Sequence, residues 1–399
     1  MAYVVSRFPT DAETFVVREM NAVAEAGGLE LRLFSLYPPP EPLLHPAARR
    51  WAERPHRPTP WRAARDLSWW LVRRPLRLAA TAATIVHGHA RSPSMLVRAL
   101  ATLPLAASHA RTAEREGIDH LHAHFATYPA LAAWVVWRLT GVPYSFTAHA
   151  HDLFVDQAFL PRKVSDARFV AVISEFNRRF LEPYGGGTAT PVELVRCGVD
   201  PGGYRFRPRC PPGEGTVRAV CVASLDEHKG HPVLLRAIAA GGGRLERLQL
   251  DLVGGRDRRP LERLAGELGI AHRVHFHGAL DEEEVAGMLN RADLFVLPSI
   301  VARDGQMEGI PVALMEALAS GLCVVASRLS GIPELIRDGE TGLLAEPGDE
   351  ESLRDALERA LDGNCGGADP AAARRLVETE FDAERSGRRM AELLLASRR

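Results

Sequence analysis

The 399-residue sequence contains little lysine, few cysteines and no long apolar run, and each shortage narrows what the protein can be. Lysine occurs only at Lys163 and Lys229, so nearly all of the positive charge is arginine. No uninterrupted apolar stretch approaches the roughly 18–20 residues of a membrane span, and "MAYVVSRFP" has neither the basic region nor the cleavage site of a secretory signal. These absences predict a cytoplasmic protein, with peripheral attachment to the inner face of the cell membrane as an open alternative.

The cysteines are odd in number and show no Cys-x-x-Cys spacing. They are Cys197, Cys210, Cys221, Cys323 and Cys365. Such a set favours reduced thiols over a disulfide framework, and no zinc-finger spacing is present. The sequence also lacks a Gly-x-Gly-x-x-Gly motif, a Walker loop and a Gly-x-Ser-x-Gly elbow. A simple dehydrogenase, a nucleoside triphosphatase and a serine hydrolase are therefore all disfavoured.

Charge is distributed unevenly along a chain whose formal net charge is only −1. Residues 1–198 hold 23 Lys and Arg against 17 Asp and Glu, whereas residues 199–399 hold 26 against 33. Residues 47–84 alone contain nine arginines and four tryptophans against two acids. This segment suits an anionic lipid surface or an anionic acceptor, and the alternative is a helical insertion whose tryptophans pack onto the domain. Nucleic acid is not an expected partner, because the basic character is confined to one insertion.

Short apolar runs alternate with segments of helical period from one end of the chain to the other, as in "AYVVS", "AETFVVREMNAVAEAGG" and "LELRLFSL". This alternation predicts an α/β protein with parallel sheets covered by helices. The pattern restarts after a Pro/Gly/Arg-rich stretch at 198–216, which we interpret as a linker between two doubly wound domains. Ligands are expected where the carboxyl ends of the strands meet a shared cleft.

The strongest local motif is "EGIPVALMEALASG", residues 308–321. Pro311 suits a first helical turn and Gly321 a helix end, so Glu308 is expected at the helix start and Glu316 two turns inside. Eight helical residues separate two side chains by roughly 12 Å, which is too far for a pair acting on one bond. The two acids would instead contact both ends of an elongated ligand whose anionic middle lies near the helix start. A nucleotide sugar has this shape.

The sequence resembles the retaining nucleotide-sugar-dependent glycosyltransferases of family four, which have the GT-B fold of two facing Rossmann-like domains. The resemblance spans nearly the whole chain, through "SRFPTDAETFVVRE", "HLHAHFA", "PYSFTAHAHDLF", "VRCGVD", "SLDEHKGHPVLL", "RVHFHGAL", "ADLFVLPS", "EGIPVALMEALA" and "SGIPELIRDGETGLL". The opening motif is similar to members that build exopolysaccharides or lipid-linked oligosaccharides. The resemblance as a whole implies an acceptor-binding domain over 1–198, a donor-binding domain over 199–380, and a helix over 381–399 packing back toward the first domain.

The resemblance implies a role for most residues of the donor site. Glu316 would bind the ribose hydroxyls, Glu308 the donor sugar, and Lys229 the diphosphate, near the backbone of Gly309 and Ile310. The family commonly has arginine where this chain has Ser224, so a second cation for the diphosphate is missing or comes from a residue such as Arg303 or Arg328. Gly254 and Gly255 would make room for the nucleotide, with simple turn glycines as the alternative. His275 and His277 are expected to be structural.

On the acceptor side, Arg7 and Thr14 are candidates for diphosphate or acceptor contact, with an ordinary surface loop as the alternative. "TAHAHD" resembles the family position whose histidine approaches the donor sugar. His149 is the best match, Asp152 is next as an acceptor-side base, and His151 is last.

The histidine-rich strand "HLHAHFA" raises the question of a metal. His120, His122 and His124 alternate and therefore share one strand face, where a metal is geometrically conceivable. Core or cleft-edge histidines are the preferred interpretation. No Asp-x-Asp is present, so we expect neither a metal nor any other cofactor, and protein cations would stabilise the departing phosphate.

Three functions stay open at this stage. The first is transfer of a hexosyl or N-acetylhexosaminyl group from a UDP- or GDP-sugar to a hydroxyl of a lipid-linked or polysaccharide acceptor, by front-face displacement with retention. The second is glycosylation of a small soluble natural-product scaffold. The third is a catalytically silent sugar-nucleotide-binding partner, a hypothesis motivated by Ser224.

Overall fold

The computed structural model describes residues 1–9, 14–39, 48–52, 55–155, 157–185 and 190–397. Parts of two sequence motifs, Thr10–Glu13 and residues 47, 53 and 54 of the insertion, lie outside the described residues. The chain divides into two compact units, one formed by Met1–Arg196 with Ala383–Arg399 and the other by Cys197–Asp382. The boundaries predicted from sequence, 198/199 and 380/381, differ from this division by two residues.

Strands and helices alternate through both units. The strands are β1 (Ala2–Arg7), β2 (Arg32–Tyr37), β3 (Leu121–His124), β4 (Tyr144–Ala148), β5 (Val170–Val172), β6 (Val192–Leu194), β7 (Val217–Val222), β8 (Leu248–Val253), β9 (Val274–Gly278), β10 (Leu294–Leu297), β11 (Cys323–Ser327) and β12 (Leu343–Ala345). The helices are α1 (Thr14–Ala26), α2 (Arg49–Ala52), α3 (Pro60–Arg73), α4 (Pro75–Gly88), α5 (Pro93–Glu116), α6 (Tyr128–Thr140), α7 (His151–Phe154), α8 (Leu160–Asp166), α9 (Glu175–Gly185), α10 (His231–Ala240), α11 (Arg259–Glu267), α12 (Glu282–Arg291), α13 (Val312–Ala319), α14 (Ile332–Leu335), α15 (Glu350–Ala360), α16 (Pro370–Glu380) and α17 (Ala383–Ser397).

The first unit contains a six-stranded parallel sheet in the order β2-β1-β3-β4-β5-β6. Its central strands are buried on both faces because helices cover both sides, and every residue of β3, β4 and β5 is buried. Helix α1 buries Val16, Val17, Met20 and Val23, the spacing of one helix face. Helix α17 packs on α1 at Gly387, where an added Cβ would collide with Ala22.

The second unit contains a six-stranded parallel sheet in the order β9-β8-β7-β10-β11-β12. This is the doubly wound order, in which the chain reverses direction across the sheet between β7 and β10. Its core gathers side chains from every strand, and the largest fully buried ones include Phe295 of β10 and Phe381 after α16. The carboxyl ends of β7 and β10 therefore flank the point where such sheets bind ligands.

The Pro/Gly/Arg-rich stretch 198–216 is part of the second unit and not a free linker. Val199 forms a bridge to Asp382, and the Arg209 guanidinium donates to the carbonyl oxygens of Asn290 and Leu289. Cys210 and Cys365 form a disulfide, so the expectation of five reduced thiols is wrong. The sequence rule fails because it reads local spacing, whereas the fold brings together two cysteines 155 residues apart.

The Arg/Trp-rich insertion is helical, as the sequence predicts, and forms α2, α3 and α4. Its tryptophans divide between the two interpretations. Trp70 is buried and donates from Nε1 to the carbonyl oxygen of Ala107 at 2.9 Å, and Trp51 donates to Asn21 at 2.7 Å. Trp61, in contrast, is 82% exposed. No helix in the described part of the chain is both long and apolar enough to cross a membrane.

Candidate active site

The two loops that leave β7 and β10 bring a lysine and a carboxylate together. Lys229 ends a short 3₁₀ turn, and its Nζ forms an ion pair with Oε1 of Glu308, which lies in the loop between β10 and α13. His228 Nε2 lies 3.5 Å from the same oxygen. Burial lowers the pKa of His228, so the lysine carries the positive charge of this group. The lysine and the glutamate are only 17% and 12% exposed, so their attraction is less screened than that of a surface pair.

The lysine turn is held against the end of β10 by a close backbone approach. Gly230 has φ +71°, and an added Cβ would collide with the carbonyl oxygen of Pro298. The backbone N–H of Ile300 donates to the carbonyl oxygen of His228 at 2.8 Å. A glycine is required at this position, because any side chain would push the turn away from β10. The loop sequence "HKG" thus fixes where Lys229 stands relative to Glu308.

Helix α13 places the second glutamate of the motif. Glu316 Oε1 accepts a hydrogen bond of 2.8 Å from the Tyr204 hydroxyl. The helix begins at Val312, with Pro311 as its N-cap, so Glu308 lies four residues before the helix and not in its first turn as the sequence analysis expects. A separation of roughly 12 Å between the two glutamates holds only for eight helical residues, so it does not apply to Glu308 and Glu316 here. A proline in extended conformation, with φ −63° and ψ 130°, delays the helix start.

The peptide between the two glutamates is fixed from the side. Ser330 Oγ donates to the carbonyl oxygens of Glu308 and Gly309, at 3.0 Å for Gly309. Ile310 is buried, and it precedes a helix start where backbone N–H groups lack intrahelical partners. The Gly309–Ile310 peptide is therefore held rigidly at a helix terminus whose dipole favours anions.

Ser224 belongs to a small group of polar side chains. Its Oγ donates to Oδ2 of Asp226 at 2.7 Å, and Arg256 Nε lies 3.3 Å from Oδ1 of the same carboxylate. Gly254 lies so close to the loop after β7 that an added Cβ would collide with the carbonyl oxygen of Ala223. Arg256 has φ +101°, a strained backbone for a residue with a side chain. An arginine thus reaches the site of the family's missing arginine from the neighbouring loop.

The two arginines suggested from sequence as substitutes have other partners. Arg303 is 95% exposed on its side chain and lies 3.4 Å from Glu227, and Arg328 lies 3.0 Å from Glu346. The contacts thus bring Arg256, and neither of these two, to the carboxylate that Ser224 binds.

In the first unit, the loop after β4 contains His149 and Asp152. The carboxylate of Asp152 is fully buried and accepts backbone N–H bonds from Ala126, His149 and Ala150 at 2.7–3.1 Å. Burial raises the pKa of Asp152 although these bonds lower it. With three backbone N–H donors, this carboxylate holds the loop in place. The His149 ring contacts the rings of Phe15 and Phe125, and its centroid lies 4.7 Å from the centroid of each.

The histidines of β3 form a buried hydrogen-bonded array. His120 Nε2 and His122 Nδ1 each lie 2.8 Å from Ser145 Oγ on β4, and His122 Nε2 lies 2.9 Å from Thr147 Oγ1. His124 lies between His149 and Glu19 of α1, at 3.2 Å and 3.1 Å. Among the described residues, ligand atoms of Glu19, His122 and His124 lie within 4.8 Å of one another, but each already has hydrogen-bonding partners in the fold. The array fits the interpretation of satisfied core histidines, and the expectation that no metal is held stays a prediction.

The remaining predicted residues lie at the periphery of these groups. Arg7 donates to the carbonyl oxygen of Pro38 and lies over the Tyr37 ring, and Thr14 is the first residue of α1. His151 is exposed at the start of α7. His275 and His277 are both exposed, and His277 Nε2 lies 2.6 Å from Asp251.

Three residues of these groups were not found from sequence: Glu19, Tyr204 and Arg256. Glu19 lies in an ordinary amphipathic helix, and Tyr204 lies in the stretch interpreted as a linker. Of the three, only Arg256 lies next to a recognisable sequence feature, the glycine pair that follows β8.

Comparison with known proteins agrees with this arrangement. Residues 98–202 match the family model "Glycosyltransferase Family 4", and residues 206–378 match "Glycosyl transferases group 1". A GDP-mannose-dependent phosphatidylinositol monomannoside mannosyltransferase of Mycolicibacterium smegmatis is 31% identical over 267 residues, which cover 63% of this chain and 70% of that protein. The chain belongs to glycosyltransferase family 4. The amylovoran biosynthesis glycosyltransferase AmsK of Erwinia amylovora, another relative of this family 4 protein, is 37% identical over 214 residues, which cover 52% of each chain.

The family 4 chain thus spans about half the length of the first curated relatives it matches. Solved structures with the same fold include sucrose-phosphate synthase from Thermosynechococcus elongatus, with a TM-score of 0.68, 21% identity and coverage of 99% and 98% of the two chains. HepE from Anabaena in complex with UDP has a TM-score of 0.70, 16% identity and coverage of 99% and 100%. The predicted GT-B fold class is therefore confirmed.

Proposed function

We propose that this family 4 protein transfers a hexosyl or N-acetylhexosaminyl group from a UDP- or GDP-sugar to a hydroxyl of a lipid-linked or polysaccharide acceptor, with retention of configuration. The observation that carries the proposal is the Lys229–Glu308 ion pair beside the start of α13, with Glu316 farther along the same segment. A cation, a helix terminus and two carboxylates in this order match a diphosphate flanked by two polyols.

The ion pair suggests how the donor enters. Without donor, Lys229 and Glu308 neutralise each other in a half-buried position. A diphosphate would replace Glu308 as the ion-pair partner of Lys229. The Glu308 carboxylate could then accept hydrogen bonds from sugar hydroxyls. Glu316 would exchange its hydrogen bond from Tyr204 for the ribose hydroxyls, and Gly309 and Ile310 would donate backbone N–H groups to the diphosphate. The exchange keeps every one of these charges either paired or hydrogen-bonded in both states.

A second cation is supplied by Arg256 in this proposal. The charge that the family carries at the position of Ser224 is moved one loop away, to a guanidinium that approaches Asp226 from the other side. Two cations are expected because the leaving nucleoside diphosphate gains charge as the glycosidic bond breaks. The strained backbone of Arg256 supports this role, since such conformations collect at functional sites.

The chemistry is a front-face displacement. The acceptor oxygen attacks the anomeric carbon, the bond from that carbon to the phosphate oxygen breaks, and the proton of the acceptor hydroxyl passes to the departing phosphate. His149 would accept or donate one hydrogen bond to the donor sugar. Asp152 positions His149 through backbone N–H bonds, and it is a weaker candidate for a base because its oxygens are already occupied. Charge stabilisation comes from Lys229 and Arg256 in this proposal, with no metal.

The acceptor side is supported by the surface of α3 and α4. Leu71, Val72 and Leu76 are 59–84% exposed beside an apolar groove of about 330 Å³ lined by Leu67, Leu78 and Leu103, among others. Residues 60–88 contain five arginines and a single acid, Asp66, which is buried and bound by Arg111 and Ser108. An exposed apolar surface surrounded by arginine fits an anionic lipid surface. The relatives named for phosphatidylinositol mannosides act on lipid-linked acceptors, which supports the same class.

Donor binding tests the proposal directly. The purified protein is heated with UDP-, GDP- and ADP-sugars, and a UDP- or GDP-sugar at 100 times its dissociation constant should stabilise the fold by about 2.7 kcal/mol. GDP-mannose is the first donor to try, because several relatives are named for it. Transfer to a lipid-linked acceptor, or slow donor hydrolysis, is the expected activity. If no sugar nucleotide stabilises the protein, the proposal is wrong, and binding without transfer or hydrolysis favours the silent partner.

Vesicle flotation distinguishes the acceptor classes. Vesicles with 30 mol% phosphatidylglycerol should carry the protein at low salt, and vesicles of phosphatidylcholine alone should not. Leu71→Glu with Val72→Glu should abolish flotation, whereas Val301→Glu, a change at another exposed apolar residue that lies in the second unit, should not. Absence of flotation by the unaltered protein would favour a small soluble acceptor.

A further inference from the structure

A buried chain of polar side chains runs from the loop after β4 to helix α1. His149 Nε2 lies 3.2 Å from His124 Nδ1, and His124 Nε2 lies 3.1 Å from Glu19 Oε1. His149 is 6% exposed, His124 is fully buried, and the Glu19 side chain is 14% exposed. None of the roles proposed above uses Glu19, although it is an acid placed inside the first unit at a cost in hydration.

The carboxylate of Glu19 determines where hydrogens lie along this chain. Burial alone would raise the pKa of Glu19, but the neighbouring His124 lowers it to about 2. An ionised carboxylate only accepts, so Nε2 of His124 must carry a hydrogen. In the neutral form of His124 this leaves the lone pair at Nδ1, and the contact at 3.2 Å then places a hydrogen on Nε2 of His149.

Several aromatic side chains surround His124. His122 and His149 lie beside it, with ring centroids at 5.4 Å and 5.5 Å, and burial lowers the pKa of both neighbours, to about 3 for His122. The Tyr3 ring stacks on the His124 ring at 5.6 Å, while the Tyr3 hydroxyl donates to Glu19 at 3.0 Å. The single negative charge of Glu19 is thus held by two donors, the Tyr3 hydroxyl and His124 Nε2–H.

The position of the His149 ring is fixed by other contacts. Asn177 donates to the backbone carbonyl oxygen of His149, Asp152 accepts from its backbone N–H, and two phenylalanine rings border the imidazole. Position and hydrogen placement are therefore controlled by different residues. A change at Glu19 can alter the tautomer of His149 without moving its ring.

We propose that Glu19 is a positioning residue that sets the tautomer of His149 through His124, with the hydrogen on Nε2 and the lone pair on Nδ1 of His149. Nδ1 is then the nitrogen that accepts a hydrogen bond from the donor sugar or the acceptor. The functional part of this inference rests on the proposed function, because it assumes that His149 meets the sugar. The tautomer itself does not, and can be measured without substrate.

The experiment compares three variants with the unaltered protein by ¹⁵N-histidine NMR and by kinetics. Glu19→Met removes the acceptor, Glu19→Gln keeps an acceptor oxygen without charge, and Tyr3→Phe removes the other hydrogen bond to the same carboxylate oxygen. We expect Nε2-protonated His149 in the unaltered protein and in Tyr3→Phe, and mixed tautomers in Glu19→Met. The kcat should fall about 10–100-fold in Glu19→Met, a common loss when an outer hydrogen-bonding partner is removed. It should recover partly in Glu19→Gln, with the donor KM unchanged within twofold.

Several results would overturn the inference. They are an Nδ1-protonated His149 in the unaltered protein, an unchanged tautomer in Glu19→Met, a loss in Tyr3→Phe as large as in Glu19→Met, and stoichiometric zinc in the purified protein. If Glu19→Met does not fold, His124→Phe removes the acceptor of His149 Nε2 and disconnects Glu19, and it should give mixed tautomers of His149. A His149 that keeps only the Nε2 hydrogen in that variant would count against the inference. An expected tautomer pattern without any transferase activity would refute the proposed function and leave the hydrogen placement standing.

Discussion

The first and second units both contain a six-stranded parallel sheet, but they differ at one edge. In the second unit β9 lies beyond β8, two strands away from β7. At the equivalent place beyond β2, the described residues of the first unit form an isolated bridge between Phe34 and His56. Helices α3 and α4 of the Arg/Trp-rich insertion follow this bridge along the chain. A strand reduced to one residue pair leaves room along the chain for an insertion, and the first unit has used it for the exposed apolar and basic surface.

The two units also differ in the kind of polar group they hold. The first unit buries neutral imidazoles, whereas the second keeps a lysine, two glutamates and an aspartate partly exposed at the carboxyl end of its sheet. Neutral buried donors and acceptors orient a ligand, and half-exposed charges bind one that is itself charged. Under the proposed function, the same architecture serves to orient a ligand in the first unit and to neutralise its charge in the second.

Acidification should give the largest difference between the two units, because it should lower the stability of the first unit more than that of the second. Burial lowers the pKa of His122 to about 3 and of His56 to about 4, and lowers those of His109 and His149 well below their usual range, all in the first unit. Such a group is neutral when folded and binds a proton on unfolding, so its stability is present above pH 6.5 and is lost as the pH falls. At pH 5 each of the first two costs about 2 kcal/mol.

The second unit has fewer such groups, chiefly His231, whose pKa is lowered to about 4. All six tryptophans lie in the first unit, so their fluorescence reports that unit alone. Denaturant titrations at pH 7 and pH 5 compare the free energy of unfolding of the two units. The loss between pH 7 and pH 5 should be larger when it is followed by tryptophan fluorescence than when it is followed by hydrogen exchange of peptides from the second unit. Equal losses would contradict the comparison.

Replacing Lys229 should give the next largest effect. Lys229→Met removes a cation from the departing diphosphate, and kcat should fall by about 10²–10³, the loss typical of removing one group that stabilises transition-state charge. Mass spectrometry after treatment with an amine-reactive reagent gives a second measurement, since Lys163 is only 3% exposed and serves as an internal reference. UDP or GDP should protect Lys229 from the reagent. Labelling that is unaffected by either nucleotide would remove Lys229 from the site.

Glu316→Ala should weaken donor binding by about 10²-fold. Hydrogen bonds to a charged acceptor contribute about 1.5–3 kcal/mol each, and the ribose would lose them. The matched control is Tyr204→Phe, which removes the hydroxyl that donates to Glu316 but leaves the carboxylate. Its effect on the dissociation constant by calorimetry should stay within about threefold. A control as damaging as Glu316→Ala would mean that the pair is structural.

Arg256→Ala should give the smallest effect, a fall of about tenfold in kcat/KM, because this guanidinium is exposed and its charge is screened. Arg303→Ala makes the same change of charge in the same unit and should leave kcat/KM unaltered. If the two variants behave alike, the second cation comes from elsewhere, and raising the salt concentration should then affect neither.

Much of the fold follows from the sequence because each unit repeats the same periodic elements. The apolar runs "AYVVS" and "LELRLFSL" correspond to β1 and β2, and the helix end expected at Gly321 falls within two residues of the observed end of α13. Apolar periodicity is a local property, so a single sequence carries it.

Features that depend on distant contacts did not follow. The Cys210–Cys365 bond joins residues far apart in sequence, and Glu19 meets His124 only after α1 has packed on the sheet. The late start of α13 depends on the extended conformation of Pro311, which the sequence pattern alone does not distinguish from a proline in the first turn. Partner choice among polar side chains is a tertiary property, and the motif residues had to be placed before Asp152 could be seen to hold a loop.

The return of α17 to the first unit has a consequence for synthesis. The second unit is one continuous segment, Cys197–Asp382, lying between the two parts of the first. A ribosome therefore completes the second unit before it makes the helix that covers α1, and the apolar face of α1 must wait while 186 residues are added. At about 5–20 residues per second this delay lasts roughly 10–40 seconds. During that time the face of α1 around Ala22, against which Gly387 of α17 packs in the folded protein, lacks its cover, and such an uncovered apolar face suits a holding chaperone.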